Sequence, residues 1–467
     1  MEFPDLGIGI DSRIRSRHIA LSKALLLGNN ISIQSISQDR AEQIANYRLL
    51  HNPKLSEEIL IKEIKSRCSK AVAGKVVLCL HDSSEANFFK HTGRLKPDTG
   101  LGPIDAAKKG IGFKMHDSLV LDAKSFYPYG IGHIELWTRD KDRDSKDWEN
   151  RKKPVEEKES SKWARGCSQS EETLSKANTI IHIQDREGDI YDQIADFNNK
   201  KQVFHIIRSR YDRVTKDGHK ISEHLKNSPV IGTYALEVSA DSHSKRKRRT
   251  AGLEVRSIKV VLNRPKRASN SLPEESKTIT VIQAREINAP KNIEPLNWQL
   301  LTSCTVSDFE DAFQVIDWYG ARWSIEEFYR ILKKENFDIE SSELETGWAL
   351  RKLSIIAMDT SLKVFQVMYC REIIEEGGNL ETICSFSEHE FECLSMLNQK
   401  LQGKTEKQKN PFQDKSTAWA VWIFSRLGGW KGYSSQRKPG ATTILLGMTK
   451  FYQIYSGYSL SVDVCTR

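Results

Sequence analysis

Two short apolar runs in this chain end alike. "KVVLCLHD" (75–82) and "TIIHIQD" (179–185) are both rich in β-branched residues, and an aspartate closes each. Runs of this kind read as strands buried on both faces, which need strand neighbours and a covering layer on either side. "FKMHDSLVLDA" (113–123), "IGHIELWTR" (131–139) and "FHIIRSR" (204–210) supply further strands. With helical patterns before and after them, the fold class is α/β. An aspartate at the end of each buried strand lets neighbouring strands bring Asp82 and Asp185 together at one sheet edge. Each acid also has an ordinary reading as a loop or cap residue. In "DREGD" (185–189), Arg186 stands between Asp185 and the acids Glu187 and Asp189, which equally suits a salt-bridged turn.

A third acid comes from "WYGARWSIEEFYRILKK" (318–334). On a regular helix Tyr319, Arg322, Glu326 and Lys333 fall within an arc of roughly 60°, with Arg330 close by. Trp318, Ile325, Phe328 and Leu332 gather on a separate, buried face. The polar stripe has two readings. It is a solvated face with Glu326 paired to Arg322 or Arg330, or Glu326 holds a metal while its neighbours hold phosphates. Asp82, Asp185 and Glu326 together would make a hard-oxygen ligand set for two Mg²⁺ ions, with Mn²⁺ able to substitute. Two ions about 3.5–4 Å apart activate an attacking oxygen and stabilise a leaving one, which is phosphodiester chemistry.

The rest of the chain is read around these segments. Residues 1–70 form short helices with a basic face carrying Arg13, Arg15 and Arg17, suited to lying on DNA. The strands and the third acid occupy 71–345. Within that stretch, 211–303 is a β-rich, basic insertion with strands at "GTYALEVSA", "LEVRSIKVVLN", "KTITVIQARE" and "NWQLLTS". A lysine-rich stretch at 140–160 reads as an exposed loop, and 346–467 is helical. Lysine and arginine number 71 against 62 acids, a net charge of +9. The excess gathers in "DSRIRSRH", "RSRYDR" and "SKRKRRT", pointing to a polyanionic partner; Arg208, Arg210 and Arg213, at and just beyond a strand end, either extend a DNA track or are solvated strand-end charges, two readings of equal weight. No run approaches the roughly 20 apolar residues of a membrane span, and "MEFPDLGIGIDSRIRSRH" lacks the apolar core of a signal peptide, so a cytoplasmic protein is expected. The eight cysteines show no Cys-x-x-Cys pair and no zinc-ligand spacing, and are read as reduced and structural.

"CLHDSSEANF", "HIQDREGDIYDQI" and "WYGARWSIEEFYRILKK" resemble the three catalytic motifs of bacterial cut-and-paste DDE transposases, in the insertion-sequence group with a Tyr-x2-Arg-x3-Glu-x6-Lys signature. Tyr319, Arg322, Glu326 and Lys333 match it in type and spacing, while Ser83 and Ser84 stand where the family has threonines. "DSRIRSRHIALSKALLLGNNISI" and "ANYRLLHNP" look like its end-binding helices, "PLNWQLLTS" like the strand bearing its base-pocket tryptophan, and "WAVWIFSRLGG" like its C-terminal region. The resemblance implies a ribonuclease H-like mixed-sheet core interrupted by the β-insertion, with helical N- and C-terminal domains. It makes Asp82, Asp185 and Glu326 the ligands of two Mg²⁺. Tyr319, Arg322, Arg330 and Lys333 become phosphate contacts, and Trp298 the receiver of a displaced base, unless Trp298 is simply a core residue of its strand. It also implies double-stranded DNA partners (transposon ends and target), a synaptic homodimer built on the C-terminal helices, and a hairpin intermediate in the bacterial nucleoid. Two rivals share parts of this reading: a metal-dependent nuclease or resolvase, which needs no Tyr-Arg-Lys stripe, and a domesticated DNA-binding protein, disfavoured because all three acids are present.

Overall fold

The computed structural model describes residues 6–465 except 7–9, 29, 106–109, 140–156, 198–199, 239–246, 266–275, 292, 336, 376–385 and 434–437. Most of the lysine-rich 140–160 stretch and the first part of "SKRKRRT" therefore lie outside the described residues.

The protein is mixed α/β. Among the described residues ten strands form one mixed sheet: β1 (Val76–Asn87), β2 (Gly102–Pro103), β3 (Ile111–Asp122), β4 (Pro128–Trp137), β5 (Thr179–Gln184), β6 (Val203–Arg208), β7 (Gly232–Val238), β8 (Arg249–Asn263), β9 (Ser276–Ile287) and β10 (Asn297–Thr302). The order is β2-β3-β1-β5-β6-β10-β9-β8-β7, with β4 sharing the outer edge of β3 with β2. Only β1/β5 and β5/β6 are parallel; every other pair is antiparallel. The four strands read in 211–303 are all present, and they prolong the central sheet through β10, which pairs with β6.

Burial follows the period-2 pattern of a covered sheet. Leu78, Leu80, Ile181 and Ile183 point into the largest core. Val77, Cys79 and Ile180 lie in a smaller one on the other face. The large core also takes in Leu21, Leu25, Leu49 and Leu60 from the helices Ser12–Gly28, Arg40–His51 and Glu57–Ala71, and Ala349 to Phe365 from the helix Gly347–Glu375. Ion pairs tie these helices together: Arg67 to Asp359 at 2.8 Å and Arg351 to Glu57 at 2.7 Å. A separate core joins Glu388–Leu401, Thr417–Leu427 and Ala441–Cys465. Ser387 starts the first of these with a capping box closed by Glu390. Among the described residues no helix is long and apolar enough to cross a membrane.

Three local expectations are corrected. The apolar run ends at Asp82, but the strand does not: β1 continues to Asn87 on β3, with β5 no longer its partner after Leu80. The segment 318–334 is not one regular helix. Phe309–Gly320 ends, Arg322 N–H bonds Tyr319 C=O and Ser324 N–H bonds Ala321 C=O in tight i to i+3 steps, and Trp323–Arg330 begins before a π-turn at Ile331–Glu335. Finally, Arg13, Arg15 and Arg17 do not share a face. Steps of two residues turn a helix by about 200°, so Arg15 lies opposite the other two on Ser12–Gly28.

Candidate active site

Asp82 and Asp185 meet because of strand register. Val76 pairs with Thr179, Cys79 with His182 and Leu80 with Ile183, and the same offset separates Asp82 from Asp185 two residues further on. Both continue the alternation of Leu78 and Leu80, and of Ile181 and Ile183, so they face the large core's side of the sheet. The helix Trp323–Arg330 packs on that side through Ile325 and Phe328, both buried. Glu326, one turn along and half-buried, is thereby brought toward the two aspartates.

Electrostatics ties the three acids together. Burial pushes the Asp82 carboxyl up to about 6, and the Asp185 and Glu326 charges add to this, while the Ser83 N–H and Arg322 oppose it. Arg322, itself buried, reaches Glu326 Oε1 at 2.6 Å and Asp82 Oδ2 at 3.8 Å. The helical ion-pair reading of Glu326 is thus correct in part, because the guanidinium serves both carboxylates at once. Asp82 Oδ1 accepts from Ser83 N–H at 2.8 Å and Asp185 Oδ1 from Glu187 N–H at 2.8 Å. The cap role weighed for Asp185 is real, yet it engages one oxygen and leaves Oδ2. This all-oxygen donor set, half-buried and holding three acids against one guanidinium, fits a hard divalent cation.

A second group adjoins the acids. Tyr319 is buried, its ring edge-on to Trp298 at 6.3 Å between centroids. Burial raises the Tyr319 phenol, with Arg322 and Arg208 beside it pulling the other way. The Tyr319 hydroxyl is buried facing the Arg322 and Arg208 side chains, Arg322 Nε is buried with no hydrogen-bond partner, and among the described residues no carboxylate pairs with Arg208. Trp298 on β10 is half-buried and packs on the large core. Trp323, which the sequence reading passed over, is 61% exposed with Arg322 5.3 Å from its ring centre.

The remaining candidates are placed less centrally. Lys333 pairs with Glu340 at 3.2 Å, and exposed Arg330 pairs with Glu327 at 3.0 Å. Arg210 is exposed, its backbone N–H bound to Asp189 Oδ2 at 2.7 Å, while the Arg213 side chain is taken up by buried Asp189. The acid of "DREGD" that forms an ion pair here is Asp189, and its partner is Arg213 rather than Arg186, so Arg213 belongs to this contact and not to an open cationic track. Arg13 is exposed beside Asp11, and Arg17 lies 3.7 Å from Glu42. Sequence reasoning also missed Asp117, fully buried opposite Asp82 in the β1–β3 ladder. It accepts a hydrogen bond from Tyr329 at 2.9 Å, and no local pattern in "FKMHDSLVLDA" distinguishes it from a solvated acid. No family model matches this chain.

Proposed function

We propose that this chain is a DDE transposase of the cut-and-paste kind: it binds transposon ends, cleaves them by metal-dependent hydrolysis and transesterification, and joins the 3′-ends to target DNA. The observation that carries the reading is geometric: the register of two parallel strands brings Asp82 and Asp185 to one sheet edge, and Arg322 bridges Asp82 to Glu326 on the packed helix. The sheet order supports it too. β4-β3-β1-β5-β6, with three antiparallel strands followed by two parallel ones, has the arrangement expected of a ribonuclease H-like core.

Asp82, Asp185 and Glu326 would hold two Mg²⁺. Bound there, the ions supply an activated attacking oxygen and charge stabilisation for the leaving one. The chain's own groups do the positioning. Arg322, which bridges Asp82 and Glu326, is the cation that hands these acids over and turns to a phosphate when DNA enters. The Tyr319 hydroxyl, Arg322 and Arg208 are donors around one spot, as recognition of a phosphate oxygen requires. Lys333 joins them by exchanging Glu340 for DNA. Trp298 offers its exposed side to a base that leaves the stack when the freed 3′-hydroxyl attacks the opposite strand to form a hairpin. The C-terminal helices serve a synaptic homodimer in this reading, and the work is done on nucleoid DNA in the bacterial cytoplasm.

Trp298→Ala tests the order of steps. The first nick needs water, metal and an accessible phosphate, whereas the hairpin needs an unstacked base. Stacking is worth roughly 1–3 kcal/mol per base, so nicking should proceed while hairpin formation slows about five- to a hundredfold. Time courses on end-labelled DNA carrying the inverted repeats that flank the gene read both steps, and a thermal melt runs beside them. Equal slowing of both steps in a destabilised protein would make Trp298 a core residue only.

The basic N-terminal helix carries a second expectation. Arg13→Gln with Arg17→Gln, on one helix face, should lower end affinity and flatten its salt dependence, by about 0.9 in slope for every phosphate that is no longer neutralised. Arg15→Gln, on the opposite face, should do neither. Gel shifts across a salt series decide it, and an unchanged slope in the double variant would place end recognition elsewhere on the surface.

A further inference from the structure

The face of β1 and β5 turned away from the carboxylates carries a different chemistry. Cys79 and His81 alternate onto it from β1, and His182 sits on β5 directly beside Cys79. The helix Lys162–Thr173 covers this face and adds Cys167. Cys79, His81 and His182 are fully buried and Cys167 nearly so. Around His81 Nε2 stand three other heteroatoms: Cys79 Sγ at 3.5 Å, Cys167 Sγ at 3.8 Å and His182 Nδ1 at 2.9 Å. The ligand atoms of Cys79, His81 and His182 all lie within 4.8 Å of one another.

A hydrogen-bonded core is a poor account of this arrangement. One imidazole nitrogen either donates once or accepts, so three neighbours compete for it, with Gln193 Oε1 at 3.8 Å an alternative for Cys167; His81 Nδ1 is buried without a hydrogen bond, and His182 Nε2 has only Glu171, at 3.7 Å. A tetrahedral ion with sulfur at about 2.3 Å and nitrogen at about 2.0 Å needs N···S edges of about 3.5 Å and an N···N edge of about 3.3 Å. The Cys79–His81 edge matches; the two imidazoles must part by a few tenths of an ångström, and Cys167, 3.8 Å from His81 Nε2 and outside the set of three atoms mutually within 4.8 Å, must draw in to complete the tetrahedron. We propose that Cys79, Cys167, His81 and His182 form a buried tetrahedral site for a structural zinc ion, on the opposite face of the sheet from the three carboxylates.

The surroundings fit that role. Glu171 lies 3.7 Å from the far nitrogen of His182 and is itself bound by Lys200, the carboxylate–histidine pairing that orients a metal-bound imidazole. The Gln184 amide donates to Cys167 Sγ at 3.0 Å, a bond that supports a thiolate. Next to Cys167, Gly166 lets the helix approach: a Cβ there would stand 2.8 Å from His116 Nε2 and 3.2 Å from His81 Nδ1. On binding, the two thiol protons go to solvent in exchange for the dication, so two thiolates, two neutral imidazoles and one Zn²⁺ leave the buried site without net charge. The site is closed on all sides, so the ion enters as the chain folds. Its effect is to pin β1 to β5 one residue before Asp82 and three before Asp185. The N/S set selects zinc where the carboxylates select magnesium.

The full-length protein, expressed with zinc in the medium and dialysed against EDTA while folded, should retain about one zinc per chain by elemental analysis and release it on denaturation. Refolding with Co²⁺ should give the visible bands of a tetrahedral, thiolate-bound ion. Cys167→Ser should abolish the bands or shift them markedly. A folded wild-type protein with no stoichiometric transition metal, after refolding with either Zn²⁺ or Co²⁺, would overturn the site. So would unchanged cobalt bands in Cys167→Ser, which would remove that ligand. The wild-type cobalt spectrum decides the matter if the variant fails to fold, and no readout depends on DNA cleavage.

Discussion

Asp82→Ala, Asp185→Ala and Glu326→Ala should each lower DNA nicking by at least about a thousandfold while end binding stays within about twofold of wild type. The two halves have separate causes. Removing one carboxylate takes away a ligand whose loss forfeits several kcal/mol of transition-state stabilisation. End affinity instead comes from cations on phosphates, and none of these acids contacts a phosphate. Stability supplies an internal control. Asp82 is a half-buried carboxyl that desolvation and two neighbouring acids push up to about 6, so truncating it relieves repulsion, and the variant should melt no lower than wild type. Arg322 loses one of its two acid partners in Asp82→Ala and in Glu326→Ala, but keeps the other. Nicking assays with Mg²⁺, gel shifts and melting curves measure the three quantities. Full nicking by any one variant would take that residue out of the site, and a nuclease that cuts but never joins ends to target DNA would favour the rival enzyme reading.

Much of this geometry is legible in the sequence, for identifiable reasons. Alternation and β-branched runs depend on near neighbours, so β5, β6 and the strands β7 to β10 lie where the pattern places them. Tyr319 and Arg322 stay neighbours across the break at Ala321, because the tight i to i+3 steps keep the chain turning in the same sense, and Arg322 keeps Glu326 one helical turn on. The break itself and the π-turn at Ile331–Glu335 have no such marker; they depend on how Phe309–Gly320 seats on β8 and Trp323–Arg330 on β1. Helical periodicity alone separates Arg15 from Arg13 and Arg17, so that correction needed no tertiary structure. What cannot be read is whatever depends on which strands pair and in what register. His182 stands beside Cys79 across more than a hundred residues of chain, so its company with Cys167 has no expression as a ligand spacing. Asp117 is hidden in the same way, since only the β1–β3 ladder sets it against Asp82.

Asp117→Asn should remove a large part of the protein's loss of stability with rising pH. Asp117 is fully buried, and burial, opposed by the Tyr329 hydrogen bond and reinforced by Asp82 and Glu135, pushes its carboxyl up to about 8. An aspartate in the unfolded chain titrates near 3.9. Between those values the folded protein holds a proton that the unfolded chain has released, so stability falls as pH rises, at about 1.4 kcal/mol per pH unit for this group. From about pH 5.5 to about pH 8 the wild type should lose on the order of 3 kcal/mol through Asp117 alone. Asparagine has nearly the same shape, does not titrate, and still offers an oxygen to the Tyr329 hydroxyl. The variant should therefore match wild type most closely at the acid end and exceed it increasingly toward pH 8. Denaturant midpoints at both pH values measure this, and parallel pH profiles for the two proteins would mean that Asp117 is already ionised in the fold. Tyr329 makes the result bear on the active site. Its hydroxyl lies 2.9 Å from Asp117 Oδ2 and 3.2 Å from the Asp82 carbonyl oxygen, so it links the catalytic strand to β3. Asp117→Asn keeps that link and should keep nicking activity, whereas Tyr329→Phe removes it and should loosen Asp82. A loss of nicking in Asp117→Asn with stability intact would instead give the carboxyl a direct part in the chemistry.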